Sequence, residues 1–174
     1  RKFTWDQLNF LVTERTDYTG ATTSFTYEDH ELTGITRPDG SVVTMVYAGP
    51  LRTGLTDELG RQHTYEYDAQ GNLIKHVHPD GTFEAWTVNG FGQHLTYTDR
   101  GGRVTSAAYD AFGNLAQLVL PDDDGVPGNE PTWSFTCDVS GRRLSAIDPM
   151  GRATHYTHDA LDRVTAVTFP DGTT

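Results

Sequence analysis

The chain has 174 residues, with 24 acidic side chains against 13 basic ones and a formal net charge of −11 at pH 7. This length favours one domain or one repeat array. The acidic balance argues against a nucleic-acid partner, because phosphate binding depends on basic side chains. A single cysteine, Cys137, cannot form an internal disulfide or a thiolate zinc cluster. No apolar run reaches the roughly 18 residues of a membrane helix, and the first residues lack a signal-peptide pattern, so we expect no membrane span.

A large residue recurs about every 21 residues along the chain, followed in the best copies by Asp and then by Gly three residues later. Tyr67-Asp68 with Gly71 and Tyr109-Asp110 with Gly113 are the clearest copies. The recurring positions are, in chain order, Trp5, Tyr27, Tyr47, Tyr67, Val88, Tyr109, Cys137 and His158. An insertion of about seven residues near 122–131 delays the seventh copy. Self-similarity of this kind is typical of repeat architectures, so residues 1–174 are predicted to form a single array of about eight repeats with no separate domain.

A second large residue stands two positions before most of these, as in Phe25, Met45, Tyr65 and Trp86. Side chains of a strand alternate between faces, so the two columns form parallel ladders on one face of a sheet. Thr, Val, Tyr and Phe favour strands, and the Gly, Pro and Asp clusters favour turns. The sequence therefore predicts an all-β, antiparallel β-hairpin array of about sixteen strands, with turns near Gly71, Gly81, Gly113 and Gly151.

The turns that close the repeats alternate in chemistry. Pro-Asp-Gly ends some of them, at 38–40, 79–81 and 170–172, whereas Asp-x-x-Gly ends those between, at 17–20, 57–60, 99–102 and 148–151. Proline sets the first corner of a turn, and glycine accepts the left-handed one. This alternation predicts a structural unit of two repeats, about 42 residues long.

The segments 67–73 and 109–115, each reading Tyr-Asp-x-x-Gly-Asn-Leu, and the turn Asp148-Pro149-Met150-Gly151 resemble the RHS (rearrangement hot spot) or YD repeat family. The resemblance implies a β-sheet strip that spirals, in a solenoid-like manner, into a hollow shell. In bacterial polymorphic toxins and insecticidal toxin complexes such shells enclose a C-terminal toxin domain, and teneurins carry a more distant version. The family's C-terminal core motif, with its self-cleaving aspartates, is not present.

The function that this resemblance implies is structural: a non-catalytic segment of a toxin-encapsulating shell, secreted or associated with the cell surface. Its partners would be the enclosed toxin domain and neighbouring repeats of the same chain, with secretion machinery or a carbohydrate as further candidates. Two alternatives stay open. One is a surface module that binds carbohydrate or protein through aromatic side chains such as Trp86 and Trp133. The other is an adhesin-like repeat stabilised by calcium.

Several side chains qualify as candidates for metal or catalytic chemistry. His76 and His78 form a His-x-His pair on one strand face, enough for two of four zinc ligands. One period later stand Tyr97 and Asp99, so no histidine column continues the pair. His155 and His158 are three residues apart, which sends them to opposite faces of a strand.

The acidic insertion, Asp122 to Glu130, is a candidate calcium ligand set but lacks the EF-hand spacing, which favours a solvated hairpin extension. Cys137 occupies a ladder position and is expected to act as a small hydrophobic side chain. The many aspartates repeat at turn positions, where Asp accepts hydrogen bonds from its own backbone. We therefore predict no enzyme, no cofactor, and no catalytic or metal-binding residue.

Overall fold

A computed structural model describes residues 1–122 and 128–174. Those residues contain sixteen β-strands and no helix. The strands are β1 (Lys2–Trp5), β2 (Val12–Thr16), β3 (Thr22–Glu28), β4 (Glu31–Thr36), β5 (Val42–Ala48), β6 (Leu51–Thr56), β7 (Gln62–Tyr67), β8 (Leu73–Val77), β9 (Phe83–Val88), β10 (His94–Thr98), β11 (Val104–Tyr109), β12 (Leu115–Val119), β13 (Thr132–Cys137), β14 (Arg143–Ile147), β15 (Ala153–His158) and β16 (Val164–Thr168). Within this part of the chain, nothing has the length and hydropathy of a membrane-spanning helix. The calcium candidates Asp123 and Asp124 lie outside the described residues.

The strands follow one another in chain order in an antiparallel sheet. Each odd-numbered strand pairs with the next strand to form a hairpin, for example β7 with β8, where Tyr65 lies opposite His76. Short connections of this kind allow only antiparallel neighbours. The predicted all-β hairpin architecture is confirmed.

A β-bulge interrupts every hairpin of the described residues at the same point. In the hairpin β7–β8, Glu66 pairs with Lys75 but Tyr67 pairs with Leu73, so Ile74 is left over. The bulged residues are Thr13, Thr33, Thr53, Ile74, Leu95, Ala116, Leu144 and Thr165. A bulge bends its strand and increases the local twist, so each repeat carries the same built-in bend beside its recurring ladder residue.

The chain divides into two compact units, residues 1–84 and 85–174. In the first unit, Val43 and Met45 are each 8% exposed, whereas the alternate residues Val42 and Val46 of the same strand are 44% and 60% exposed. In the second unit, Ala146 and Ser145 are the described residues of lowest exposure. In β5 one face is therefore better shielded than the other, as the alternation of strand side chains requires, whereas in β14 the adjacent residues Ser145 and Ala146 are both buried although they lie on opposite faces. The single array over 1–174 stays a prediction.

The hairpin turns share one backbone pattern despite their two chemistries. In the turn 68–71, Asp68 N–H donates to the carbonyl of Asn72 and Gly71 N–H donates to the carbonyl of Asp68. The Pro-Asp-Gly turn at 38–40 repeats both bonds between Arg37, Gly40 and Ser41. Gly71 has a φ of 86°, a left-handed value that glycine adopts without steric cost. The predicted turns at Gly81, Gly113 and Gly151 have the same geometry.

Candidate functional site

The shielded face of the sheet, called the ladder face here, carries the two predicted columns of large side chains. Its rings contact one another in the second unit, where Trp86 stacks on Tyr97 with centroids 5.6 Å apart and Trp133 stacks on Phe135 at 6.3 Å. Both tryptophans are half-buried. The strongly exposed aromatic rings of the described residues include Tyr18, Phe91 and Phe112, which lie in turns.

Three of the recurring tyrosines form a hydrogen bond between their own hairpin and the preceding one. Each hydroxyl donates to the backbone carbonyl of the residue just before a bulged residue. The pairs are Tyr27 with Val12 at 3.0 Å, Tyr67 with Arg52 at 2.9 Å and Tyr109 with His94 at 3.0 Å. The bond satisfies a carbonyl beside the interruption in the ladder, where regular pairing fails.

These tyrosine bonds recur in alternate hairpins. At the intervening copies the corresponding residues include Tyr47, whose hydroxyl lies 3.9 Å from the sulfur of Met45, and Cys137, which has no hydroxyl. In these pairs, the tyrosine hydroxyl of the second hairpin donates to the backbone beside the bulge of the first. The 42-residue unit stays a prediction.

We expect Tyr67→Phe to lower the free energy of unfolding by about 0.5–1.5 kcal/mol, because it removes one hydrogen bond and leaves the Arg52 carbonyl without that donor. Tyr47→Phe is the matched control. Its hydroxyl faces only the weak sulfur acceptor of Met45, so its loss should cost less. Urea unfolding followed by circular dichroism measures both, and equal costs would contradict the role assigned to the Tyr67 hydroxyl.

The carboxylates of the turn aspartates accept hydrogen bonds from residues of their own turns. One carboxylate oxygen of Asp68 accepts hydrogen bonds from the N–H groups of Gln70 and Asn72, and the other accepts from the Asn72 side chain. The side-chain bond from Asn72, and then the backbone bonds, hold the pKa of Asp68 below its usual value against the opposing effect of desolvation. Asp110 repeats this arrangement with Asn114, which likewise lowers its pKa. The carboxylates act as turn formers, as the repeat pattern predicts.

A natural substitution illustrates what these turns need. Asn89 takes the aspartate position and accepts the same two backbone bonds, from Phe91 and Gln93, while its amide donates to the Gln93 side chain. The turn therefore depends on a short side-chain acceptor rather than on a negative charge.

Four titratable side chains interrupt the ladder face in the first unit: His63, His76, His78 and Glu84. His63 lies on β7, His76 on β8, His78 directly after β8, and Glu84 on β9. The Nδ1 atom of His63 lies 3.0 Å from Nε2 of His76, and Nε2 of His78 lies 3.1 Å from Oε2 of Glu84. One ring nitrogen from each histidine falls within 4.8 Å of those of the other two. We call this group the histidine cluster.

The cluster is shielded but open to solvent on one side. The side chains of His76, His78 and Glu84 are 18%, 15% and 25% exposed. Tyr65 stacks on the His76 ring with centroids 4.6 Å apart, and the guanidinium carbon of Arg52 lies 4.8 Å from the centroid of the Tyr65 ring. Burial, together with the neighbouring charges of His78 and His63, lowers the pKa of His76 below its ordinary value.

The sequence pattern identified half of this cluster. His76 and His78 lie together on the predicted face, but His63 and Glu84 were not among the candidates. Two signals could have found them. The 21-residue period relates His63 to Glu84, and pairing across the turn at 68–71 places the end of β8 beside the start of β7.

The remaining histidine and cysteine candidates lie in the second unit. His155 is exposed, whereas His158 is half-buried, in keeping with opposite faces of β15. Cys137 is half-buried within the second unit and forms no disulfide.

Comparison of the sequence with models of protein families shows to which family the chain belongs. The model described as "RHS Repeat" matches residues 3–42, 48–82 and 138–174, which together make up more than half of the chain. The chain belongs to the RHS repeat family. No curated protein matches the RHS chain in sequence.

Solved structures share the fold of this RHS chain. The crystal structure of TcdB2-TccC3-TEV superimposes with a TM-score of 0.74 at 16% identity, covering 94% of this chain and 10% of that one. The crystal structure of TcdB2-TccC3 without its hypervariable C-terminal region gives a TM-score of 0.65 at 15% identity, covering 92% of this chain and 11% of that one. The RHS chain thus spans about a tenth of the length of these relatives.

Proposed function

We propose that this RHS segment forms part of the wall of a shell that encloses the C-terminal toxin domain of a longer, secreted bacterial chain. The single observation behind the proposal is the RHS repeat match combined with a fold match over 94% of the chain. The matched TcdB2-TccC3 chains are about ten times longer than this segment, and one of them is described as lacking its hypervariable C-terminal region. A short stretch of wall within a much larger enclosure agrees with these proportions.

The geometry supports a wall because each repeat adds two strands to the sheet by the same device. The turn ends the strand, the bulge bends it, and in alternate hairpins a tyrosine hydroxyl donates to the preceding hairpin. Addition of identical units to a sheet can continue over any number of repeats, since each contacts its neighbours in the same way. We propose the pair of hairpins as the unit of growth.

The proposed role is non-catalytic. A paired-carboxylate mechanism needs one carboxylate free to accept or donate a proton. The carboxylates of Asp68 and Asp110 instead accept several hydrogen bonds from their own turns, and their lowered pKa values keep them ionised. The partners under this proposal are the enclosed toxin domain and the neighbouring RHS repeats.

Limited proteolysis of the longer chain that contains these repeats tests the proposal. With a tag on the C-terminal domain, we expect that domain to resist protease in the wild type. It should become cleavable when Met45→Ala and Tyr67→Ala are combined, because both remove ladder-face packing. The control variant Val46→Ala alters the exposed face of the same strand and should leave the protection unchanged.

Rapid cleavage of the C-terminal domain in the wild type, at the rate found for the double variant, would contradict the enclosing role. A hydrolytic activity of the repeat segment that disappears in Asp110→Asn, with unfolding unchanged, would contradict the non-catalytic role.

A further inference from the structure

The histidine cluster brings three imidazoles and one carboxylate together at ladder-face positions where the repeats outside the cluster have no histidine. Register with the ladder places His76 at the position taken by Ile35, Leu55, Tyr97, Leu118, Ala146 and Val167 in six other hairpins and by Arg15 in the first. By the same spacing, the His63 position holds the apolar residues Val43 and Trp133 in two repeats and Thr23, Thr105 and Thr154 in three others, and Glu84 of the cluster holds it in the next repeat. A ladder face needs apolar side chains here for its own stability, since their burial stabilises the sheet. Packing of the array therefore does not account for four polar, titratable groups in one place.

All four side chains project from the same face of three consecutive strand segments. Tyr65 and His76 are cross-strand partners, and the alternation of strand side chains puts His63 and His78 on their side. Lys75 lies on the opposite face, where its ammonium contacts the Phe83 ring at 5.3 Å and pairs with Glu66 at 3.2 Å. Glu84, next to Phe83 in β9, accordingly points to the histidines, with Oε2 3.1 Å from His78 and 3.6 Å from His76.

The spacing of the donor atoms suits a small tetrahedral cation. Zinc binds histidine nitrogen and carboxylate oxygen at about 2.0–2.2 Å, so adjacent ligand atoms of a tetrahedral site lie about 3.4 Å apart. The His63–His76 and His78–Glu84 pairs are already at 3.0 and 3.1 Å. One nitrogen of each histidine lies within 4.8 Å of those of the other two. His76 faces His63 with Nε2 and Glu84 with Nδ1, so the His76 ring and the Glu84 side chain must change rotamer for Glu84 to become the fourth ligand.

The kind of ligand follows from the donor set. Three imidazoles and one carboxylate match the preference of zinc for nitrogen with an oxygen ligand, whereas magnesium and calcium prefer oxygen throughout. Four protein ligands fill a tetrahedral shell and leave no position for a substrate, which is the arrangement of structural zinc sites.

We propose that His63, His76, His78 and Glu84 bind one zinc ion, which joins β7, β8 and β9 and holds two successive repeats together. This inference goes beyond the proposed wall function and does not depend on it. It also revises the sequence-based expectation of no metal site, which considered His76 and His78 without the two residues that complete the set.

Metal binding is tested on the chain purified without a polyhistidine tag and treated with a chelator. Titration calorimetry with zinc chloride should show one site per chain with a Kd of about 1 µM or tighter. Zinc should raise the melting temperature by about 4 °C or more at a large excess over Kd, and magnesium chloride should not. Cobalt chloride should give the visible absorption of a tetrahedral nitrogen and oxygen site.

Glutamine substitutions test whether the side chains of the histidine cluster bind the zinc ion. His76→Gln and His78→Gln should each weaken zinc binding about 100-fold, since each removes a direct ligand, and Glu84→Gln should weaken it at least about tenfold. His155→Gln, at an exposed histidine on β15, is the control and should bind as the wild type does. Circular dichroism checks that each variant keeps its strands.

Two results would overturn the proposal. One is a wild-type chain that binds no zinc up to about 100 µM. The other is a zinc affinity equal in the wild type and in His78→Gln, which would move the binding to the acidic insertion or another surface. If the glutamine variants fail to fold, the cobalt spectrum of the wild type tests the proposal instead. The weak absorption of octahedral cobalt would rule out the histidine cluster as a tetrahedral metal site.

Discussion

Met45→Ala is expected to lower the free energy of unfolding by about 2–4 kcal/mol, one of the largest effects of any single truncation in the first unit. Met45 is 8% exposed in a sheet where very few described side chains are buried to that degree. It lies between Val43 and Tyr47 on the ladder face, opposite Leu55, and its sulfur receives the Tyr47 hydroxyl contact. Truncation removes apolar packing and leaves a cavity that flanking strands, fixed by their hydrogen bonds, cannot close.

The neighbouring residue supplies the control. Val46 is 60% exposed on the other face of β5, so Val46→Ala should cost less than about 1 kcal/mol, mainly through lower strand propensity. Urea unfolding of both variants by circular dichroism, with unchanged dependence on denaturant, measures the difference. If the two substitutions cost the same, the ladder face is not the stabilising face of the sheet.

The ladder face could be predicted from sequence because it depends on strand alternation and on repetition. Tyr67 and Tyr109 recur with Asp and Gly at fixed offsets, and a period of about 21 residues leaves room for two strands and two turns. Period-two alternation then fixes which side chains share a face. Met45 and Tyr65, two positions before the tyrosines, were placed correctly for that reason.

The depth of burial could not be predicted in the same way. The sequence suggested buried ladder rings, but Trp86 and Tyr109 are half-buried. A single sheet covers its large side chains only with their neighbours along the ladder, so full burial would need a second layer. Nothing in the spacing of the ladder residues reports whether such a layer is present.

The tyrosine bonds and the histidine cluster depend on register, which the period alone does not fix. A bulge beside each recurring residue shifts the pairing by one position, and this shift sets which carbonyl the Tyr67 hydroxyl reaches. The same register brings His63 to His76 across the turn. The eight bulged residues include threonine, leucine, isoleucine and alanine, so no single side-chain type marks the bulge in the sequence.

The turn aspartates predict that acid destabilises the chain. Hydrogen bonds from the turns lower the pKa values of Asp17, Asp39, Asp57, Asp68, Asp99, Asp110, Asp138, Asp148, Asp159 and Asp171. An aspartate with a lower pKa in the folded state stabilises that state above its unfolded pKa of about 3.9, and the contribution disappears as the pH falls through the folded value. Because many turns share this property, the losses add up.

We therefore expect the urea midpoint to change little near neutral pH and to fall steeply once the pH drops below about 4. Asp68→Asn combined with Asp110→Asn should flatten this fall while costing little at pH 7, because asparagine can accept the same backbone bonds, as Asn89 does. Glu66→Gln, which removes an exposed carboxylate 3.2 Å from Lys75, is the control and should leave the fall unchanged. A double variant as acid-sensitive as the wild type would mean that protonation of the turns is not what unfolds the sheet. A double variant that is unstable at pH 7 would show that the turns need the carboxylate charge itself, which Asn89 already replaces in one native turn.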